Sequence, residues 1–188
     1  VTDPNVAYGS TWVNAPLDPA VEVNRKGSVK NWIWGLMVNE TPDIQAKMVL
    51  FWHNHFALQF LEIPDSRACY TYTKVLHTHA LGNMKSLTRA ITIDPAMLFY
   101  LNGRLNTKRA PDENYGRELQ ELFTMGKGPN SKYTEDDVKA AARVLTGWGI
   151  NPLTNPFSTT FLNTNHDTTD KKFSAFYGNT VIKGQSGI

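Results

Sequence analysis

The sequence predicts a mainly α protein: a multi-helix orthogonal bundle with a small C-terminal β-hairpin. Three observations carry this. Apolar residues recur at helical spacing from Ser28 to Gly147. Cap residues, prolines and glycines divide that stretch into helices of ordinary length. After Trp148 two β-prone runs flank a turn-rich linker. The 188 residues are read as a single domain that is part of a longer protein, large enough to bury a core. It comprises an extended arm over 1–27, a helical core over 28–148, and a hairpin with a truncated end over 149–188.

The arm is rich in Pro, Asn, Asp and Gly, and Tyr8, Trp12 and Val13 are expected to dock it. "SVKNWIWGLMVNE" opens the helical pattern with Ile33, Leu36 and Met37. In "TPDIQAKMVLFWHNHFALQFLEI", Thr41 fits an N-cap, Pro42 the first helical position and Asp43 the positive dipole end. This helix is expected to run to Ile63-Pro64 and to be buried, since it is apolar on nearly all sides. Asp65 or Ser66 caps the next helix, which stops near Gly82-Asn83. "NMKSLTRAIT" follows, and Asp94-Pro95 opens "PAMLFYL". A basic loop, 102–112, carries Arg104, Lys108 and Arg109. "ENYGRELQELFTM" is read as one helix stopped by Gly126. Thr134 and Asp137 form a capping box, with Asp in place of the usual Glu, at the head of "EDDVKAAARVL". Finally, "FSTTFLN" and "KKFSAFY" are expected to pair as the hairpin around "TNHDTTD".

Composition excludes several classes. Net charge is +2 and the basic residues are scattered, so nucleic acid is not an expected partner. One cysteine, Cys69, rules out an internal disulfide and a multi-Cys zinc site. No apolar run reaches the roughly 18 residues of a membrane span. The chain stops at "VIKGQSGI" without a terminating signal, so a fragment is expected. Its uncovered core would expose Ile33, Trp34 and the arm around Trp12, and a protein partner would cover them.

"FWHNHF" at 51–56 raises the question of a site. Residues two apart on a helix diverge by about 200°, so His53 and His55 cannot share a ligand. Each is then either a hydrogen-bonded core histidine or one member of a site. On the later helix, Asn114, Glu118 and Glu121 follow positions i, i+4 and i+7 and line one side. Glu113, Arg117 and Glu121 form a ladder of alternating sign; for Glu113 and Arg117 a solvated face is expected, while Glu121 stays open with Asn114 and Glu118. If His55 met Glu118 and Glu121, the set could bind a divalent metal or act as acid and base. Asn114 would orient the substrate, and His166 with Asp167, brought in by the hairpin, would close the site as further metal ligands. His166 and Asp167 otherwise belong to a turn. Two functions are in play: a hydrolase built on these residues, or a non-catalytic scaffold or interaction protein whose polar residues lock helices together.

"FWHNHF", "DPAMLFYLNG", "PDENYGRELQELFTMG", "YTEDDVKAAARVLTGW" and the later "HD", "KK" and "G" occur in this order. Over about Trp32 to Gly184 the chain resembles the bacterial domain-of-unknown-function family number 1800. The resemblance implies a mainly helical, often exported protein, usually much longer than this chain. It implies no catalytic residue. The family pattern reads "NENYARE" where this chain has "DENYGRE", so Asp112 replaces Asn and Gly116 replaces Ala.

Overall fold

The computed structural model describes residues 6, 10–39, 44–151, 153 and 158–184. Their order is α1 (Glu22–Asn39), α2 (Ile44–His55), α3 (Ser66–His79), α4 (Met84–Thr92), α5 (Pro95–Tyr100), α6 (Asn114–Glu118), α7 (Glu135–Val144), β1 (Trp148–Asn151), β2 (Ser158–Phe161), β3 (Lys171–Lys172) and β4 (Val181–Ile182). The mainly α expectation holds. The chain forms two compact units, one of Val1–Tyr100 with Asn151–Ser158, the other of Leu101–Ile150 with Thr159–Ile188.

In the first unit α3 is the hub. Its Ala68, Cys69, Tyr72 and Leu76 are buried, and it packs against α1, α2, α4 and α5. Their spacing of one, three and four residues makes one apolar face. Asp65 caps α3 by accepting from Arg67 N at 2.9 Å, and its carboxylate also receives the Arg67 guanidinium at 2.6 Å. Asn83 caps α4 through Lys85 N and Ser86 N, and Asp94 caps α5 through Ala96 N and Met97 N. Thr41, Pro42 and Asp43, the expected start of α2, lie outside the described residues.

The arm is shorter than expected, because α1 begins at Glu22. Charge causes this. Glu22 accepts from Ser66 N at 2.5 Å and lies 3.4 Å from Arg25. Arg25, 1 % exposed, donates to Pro16 O at 2.8 Å and sits over the Trp12 ring. Trp12 is thereby buried, as docking of the arm requires, and so is not part of an exposed patch. Tyr8 lies outside the described residues.

In the second unit α6 packs on α7, and α7 on β3. A Cβ at Gly116 would stand 3.1 Å from Ala142 N and 3.3 Å from Val138 O. The glycine that costs α6 about 1 kcal/mol in propensity therefore lets two helix backbones touch. The α7 capping box forms with Asp137 as expected. The expected pairing of the two β-prone runs does not occur. β2 pairs with β1, and β3 pairs antiparallel with β4 in the register Lys171–Ile182 and Lys172–Val181. Gly147, at φ 96°, makes the first pairing: a Cβ there would lie 3.0 Å from Leu162 O. The left-handed pair Gly178 and Asn179 turns the chain for the second.

Candidate functional site

α2 ends at His55, eight residues before the expected stop at Ile63. The cause lies in "FALQF". Phe56, Leu58 and Phe60 are buried while Ala57 and Gln59 are exposed, an alternation of period two that belongs to extended chain. Buried Tyr72 fixes the exit by donating its hydroxyl to Phe56 O at 2.7 Å. The helix is also less buried than expected: Val49 is its one buried residue, and Leu50 and Phe51 are exposed.

His53 and His55 share an unbroken helix, and their rings pack on different neighbours. His53 lies against Phe60 and Tyr72, with ring centroids 5.8 and 5.7 Å away. His55 lies edge-on to Trp52 and Phe56 at 5.8 and 4.7 Å. Burial lowers the His53 pKa, so its imidazole is neutral near pH 7.

His53 opens on a groove of about 550 Å³ within the first unit. Ile33, Trp34 and Met37 of α1, Leu50 of α2, and Leu58 and Leu61 after it give apolar walls, with Lys30 at the rim. Trp34 is 66 % exposed and Leu61 70 %. A few polar groups in an apolar concavity of this size make a binding site in physical terms. Sequence reading singled out Trp34 but assigned His53 no place there, because the turn at Phe56 that brings Phe60 back to it was scored as helix.

His55 belongs to the first unit, and Asn114, Glu118, Glu121, His166 and Asp167 to the second. Asn114 is exposed, and its backbone N–H donates to Asp112 at 2.8 Å. The expected single helix changes form after Glu118: Leu119–Thr124 is a π-helical turn, closed partly by Thr124 Oγ1 donating to Leu119 O at 2.6 Å. The i→i+5 pattern widens each turn, so Glu121 does not continue the row from Asn114 and Glu118. Glu121 joins Lys127 at 3.0 Å and Arg117 at 3.6 Å. The Lys127 bond, foremost, holds its carboxyl below the usual range. Arg117 also forks onto Glu135 at 2.9 and 2.7 Å and reaches Glu113 at 3.1 Å, which is the solvated ladder expected for Glu113 and Arg117. One oxygen of Glu118, Oε2, is buried with no hydrogen-bond partner among the described residues.

His166 and Asp167 share one anchor, Thr146. His166 Nδ1 lies 2.8 Å from Thr146 O. A carbonyl only accepts, so Nδ1 carries the proton. Asp167 N donates to Thr146 Oγ1 at 2.8 Å, and its carboxylate takes Arg143 Nε at 2.7 Å. Burial would raise the Asp167 carboxyl, but bonds from Arg143 and Thr169 outweigh it and hold it far below the usual range. Buried Lys171 donates to Asp167 O. Among the described residues, no three or more His, Cys, Asp or Glu side chains are arranged to hold a metal ion.

Asp94 is a buried acid that sequence reading used only to open a helix. Burial pushes its carboxyl up to about 7, against the lowering effect of the Met97 and Ala96 N–H groups. Among the described residues no helix is long and apolar enough to cross a membrane.

No curated protein and no solved structure matches the chain. Residues 17–187 match the family described as "Protein of unknown function (DUF1800)". That match spans nearly the whole sequence and takes in the helices, the π-helical turn and both strand pairs, so the chain belongs to this family.

Proposed function

We propose that the chain is an interaction module, in which the groove at His53 receives an apolar segment of a partner protein. The observation that carries this is the groove itself, with Trp34 and Leu61 left uncovered on its walls. Exposed aromatic and aliphatic anchors around a concavity are the kind of surface that dominates binding energy. Lys30 at the rim favours a segment with an acidic residue beside its apolar anchor. Neutral His53 can exchange a hydrogen bond with the partner backbone. The ion pairs around Glu121 and Asp167 support structural roles for those residues. Export from a bacterial cell, which the family resemblance implies, is part of the same reading.

Selection of short random peptides on the purified chain tests it. Enriched peptides should carry a bulky apolar residue next to Asp or Glu. Trp34→Ser and Lys30→Glu should each weaken them, Trp34→Ser by at least about tenfold. Peptides that bind the Trp34→Ser protein equally well would refute the groove. The other reading, a hydrolase, is favoured by the Glu118 oxygen that has no hydrogen-bond partner among the described residues. Hydrolysis of a chromogenic ester, abolished by Glu118→Gln with melting unchanged, would favour it over the interaction module.

A further inference from the structure

The basic loop 102–112 takes no part in the groove. Its fold is over-determined. Asn102 adopts a left-handed conformation at φ 60°. Buried Asn106 donates its amide to Ala142 O at 2.8 Å, and its side-chain oxygen accepts Asp112 N at 3.0 Å. Its own carbonyl accepts Gly147 N at 3.0 Å. From this post the chain makes a tight turn: Thr107 N donates to Ala110 O at 3.3 Å and Ala110 N to Thr107 O at 3.1 Å. Lys108 and Arg109 are the two residues at its tip. Lys108 N then donates to Asn165 O at 2.8 Å, which ties the tip to the short helical turn Asn163–Asn165. That turn is itself followed by His166, held on Thr146.

Between turn and loop lies a pocket of about 410 Å³, lined by Thr107, Lys108, Arg109, Thr164 and Asn165. The lining has two cations, two hydroxyls and one amide, and no carboxylate. Among the described residues neither Lys108 nor Arg109 has an ion-pair partner, unlike Arg117 and Arg143 of the same unit. Two adjacent positive charges on a backbone held this firmly repel one another until an anion arrives. The ordering cost of gathering them is already met by the fold.

We propose that this pocket binds a tetrahedral oxyanion, the phosphate or sulfate group of a small molecule. A guanidinium fork and an ammonium match its oxygens and charge. The Thr107 and Thr164 hydroxyls and the Asn165 amide supply neutral donors. The volume beyond the anion would hold part of the molecule that carries it.

The test uses the full chain and inorganic phosphate, sulfate and chloride at matched ionic strength, followed through backbone amide resonances. Phosphate or sulfate should give saturable shifts at Lys108, Arg109, Thr164 and Asn165. Whichever binds tighter identifies the group. The double variant Lys108→Ala/Arg109→Ala should weaken binding by at least about tenfold, with an unchanged melting temperature because both side chains are exposed. Should the double variant unfold, Arg109→Gln alone decides the matter, since it keeps length and removes charge. The proposal is overturned if shifts are equal with chloride, if they do not saturate, or if the variants bind as well as the parent.

Discussion

Asp94 in the first unit and Asp137 and Asp167 in the second are shifted in opposite directions. In the first, Asp94 is 3 % exposed and accepts from the N–H groups of Ala96 and Met97, and its carboxyl is pushed up to about 7. In the second, Asp137 is fully buried yet held below the usual range. It accepts from Ser174 N at 2.6 Å and Thr134 N at 2.7 Å. Asp167 is lowered further, by the hydrogen bonds from Arg143 and Thr169. Burial opposes the charge in all three, most heavily at Asp94. The sign follows from both sides of that balance: two capping amides do not offset deep burial at Asp94, whereas short N–H bonds at Asp137 and a cation at Asp167 outweigh a lighter desolvation.

The contrast breaks first at Asp137. Asp137→Ala removes the capping box and leaves Ser174 N without its acceptor, and should cost about 2–4 kcal/mol. Urea unfolding reads this directly. A loss below about 1 kcal/mol would mean that the α7 cap is not a support of its unit.

Next comes pH. The folded Asp94 carboxyl binds its proton more tightly than the unfolded one, so its stabilising effect is complete below about pH 4 and is lost as pH rises through about 7. Asp137 and Asp167 have lowered values, so their effect is present above about pH 4 and is lost as pH falls further. Asp94→Asn keeps an oxygen to cap α5. It should remove the decline between pH 4 and 7 and leave the protein more stable at pH 8 by on the order of 2 kcal/mol. Parallel stability profiles for parent and variant would disprove the assignment.

The smallest effect compares two helix glycines. A Cβ at Gly27 in α1 meets nothing within 4 Å, so Gly27→Ala should stabilise by about 0.5–1 kcal/mol. Gly116→Val should destabilise by about 1–3 kcal/mol, because the atoms it meets are backbone. Thermal melting of the two variants should move in opposite directions. Shifts of the same sign would contradict the close approach of α6 and α7.

Much of the fold was legible because its signals are local. Asp65, Asn83, Asp94 and Thr134 each cap the helix that follows, and a cap needs only neighbours two or three residues away. The failures were non-local. Nothing near Glu22 announces that Ser66 N will complete its bonding, so the first turns of α1 read as arm. "FALQF" fits period two as well as helix, and only Tyr72 decides between them. The π-helical turn depends on Gln120, which donates to Gly116 O at 3.0 Å and accepts from Tyr177 57 residues later at 2.8 Å. Site reading suffered for the same reason. Types and spacing marked Asp167 as a candidate, but Arg143, which engages it, lies 24 residues earlier. For His53 the sequence leaves a core histidine and a site member both open, because the groove in front of it needs three-dimensional closure.

The bond from Ser66 N to Glu22 has a consequence in time. Its partners stand 44 residues apart. At a synthesis rate of about 5–20 residues per second, Glu22 waits roughly 2–9 s on the ribosome for Ser66 to be made. During that interval the carboxylate and the neighbouring Arg25 are hydrated, and α1 has neither its clasp nor α3 to pack on. An 18-residue helix containing Gly27 draws most of its stability from packing rather than from propensity. The clasp of α1 therefore closes only after Ser66 has been made.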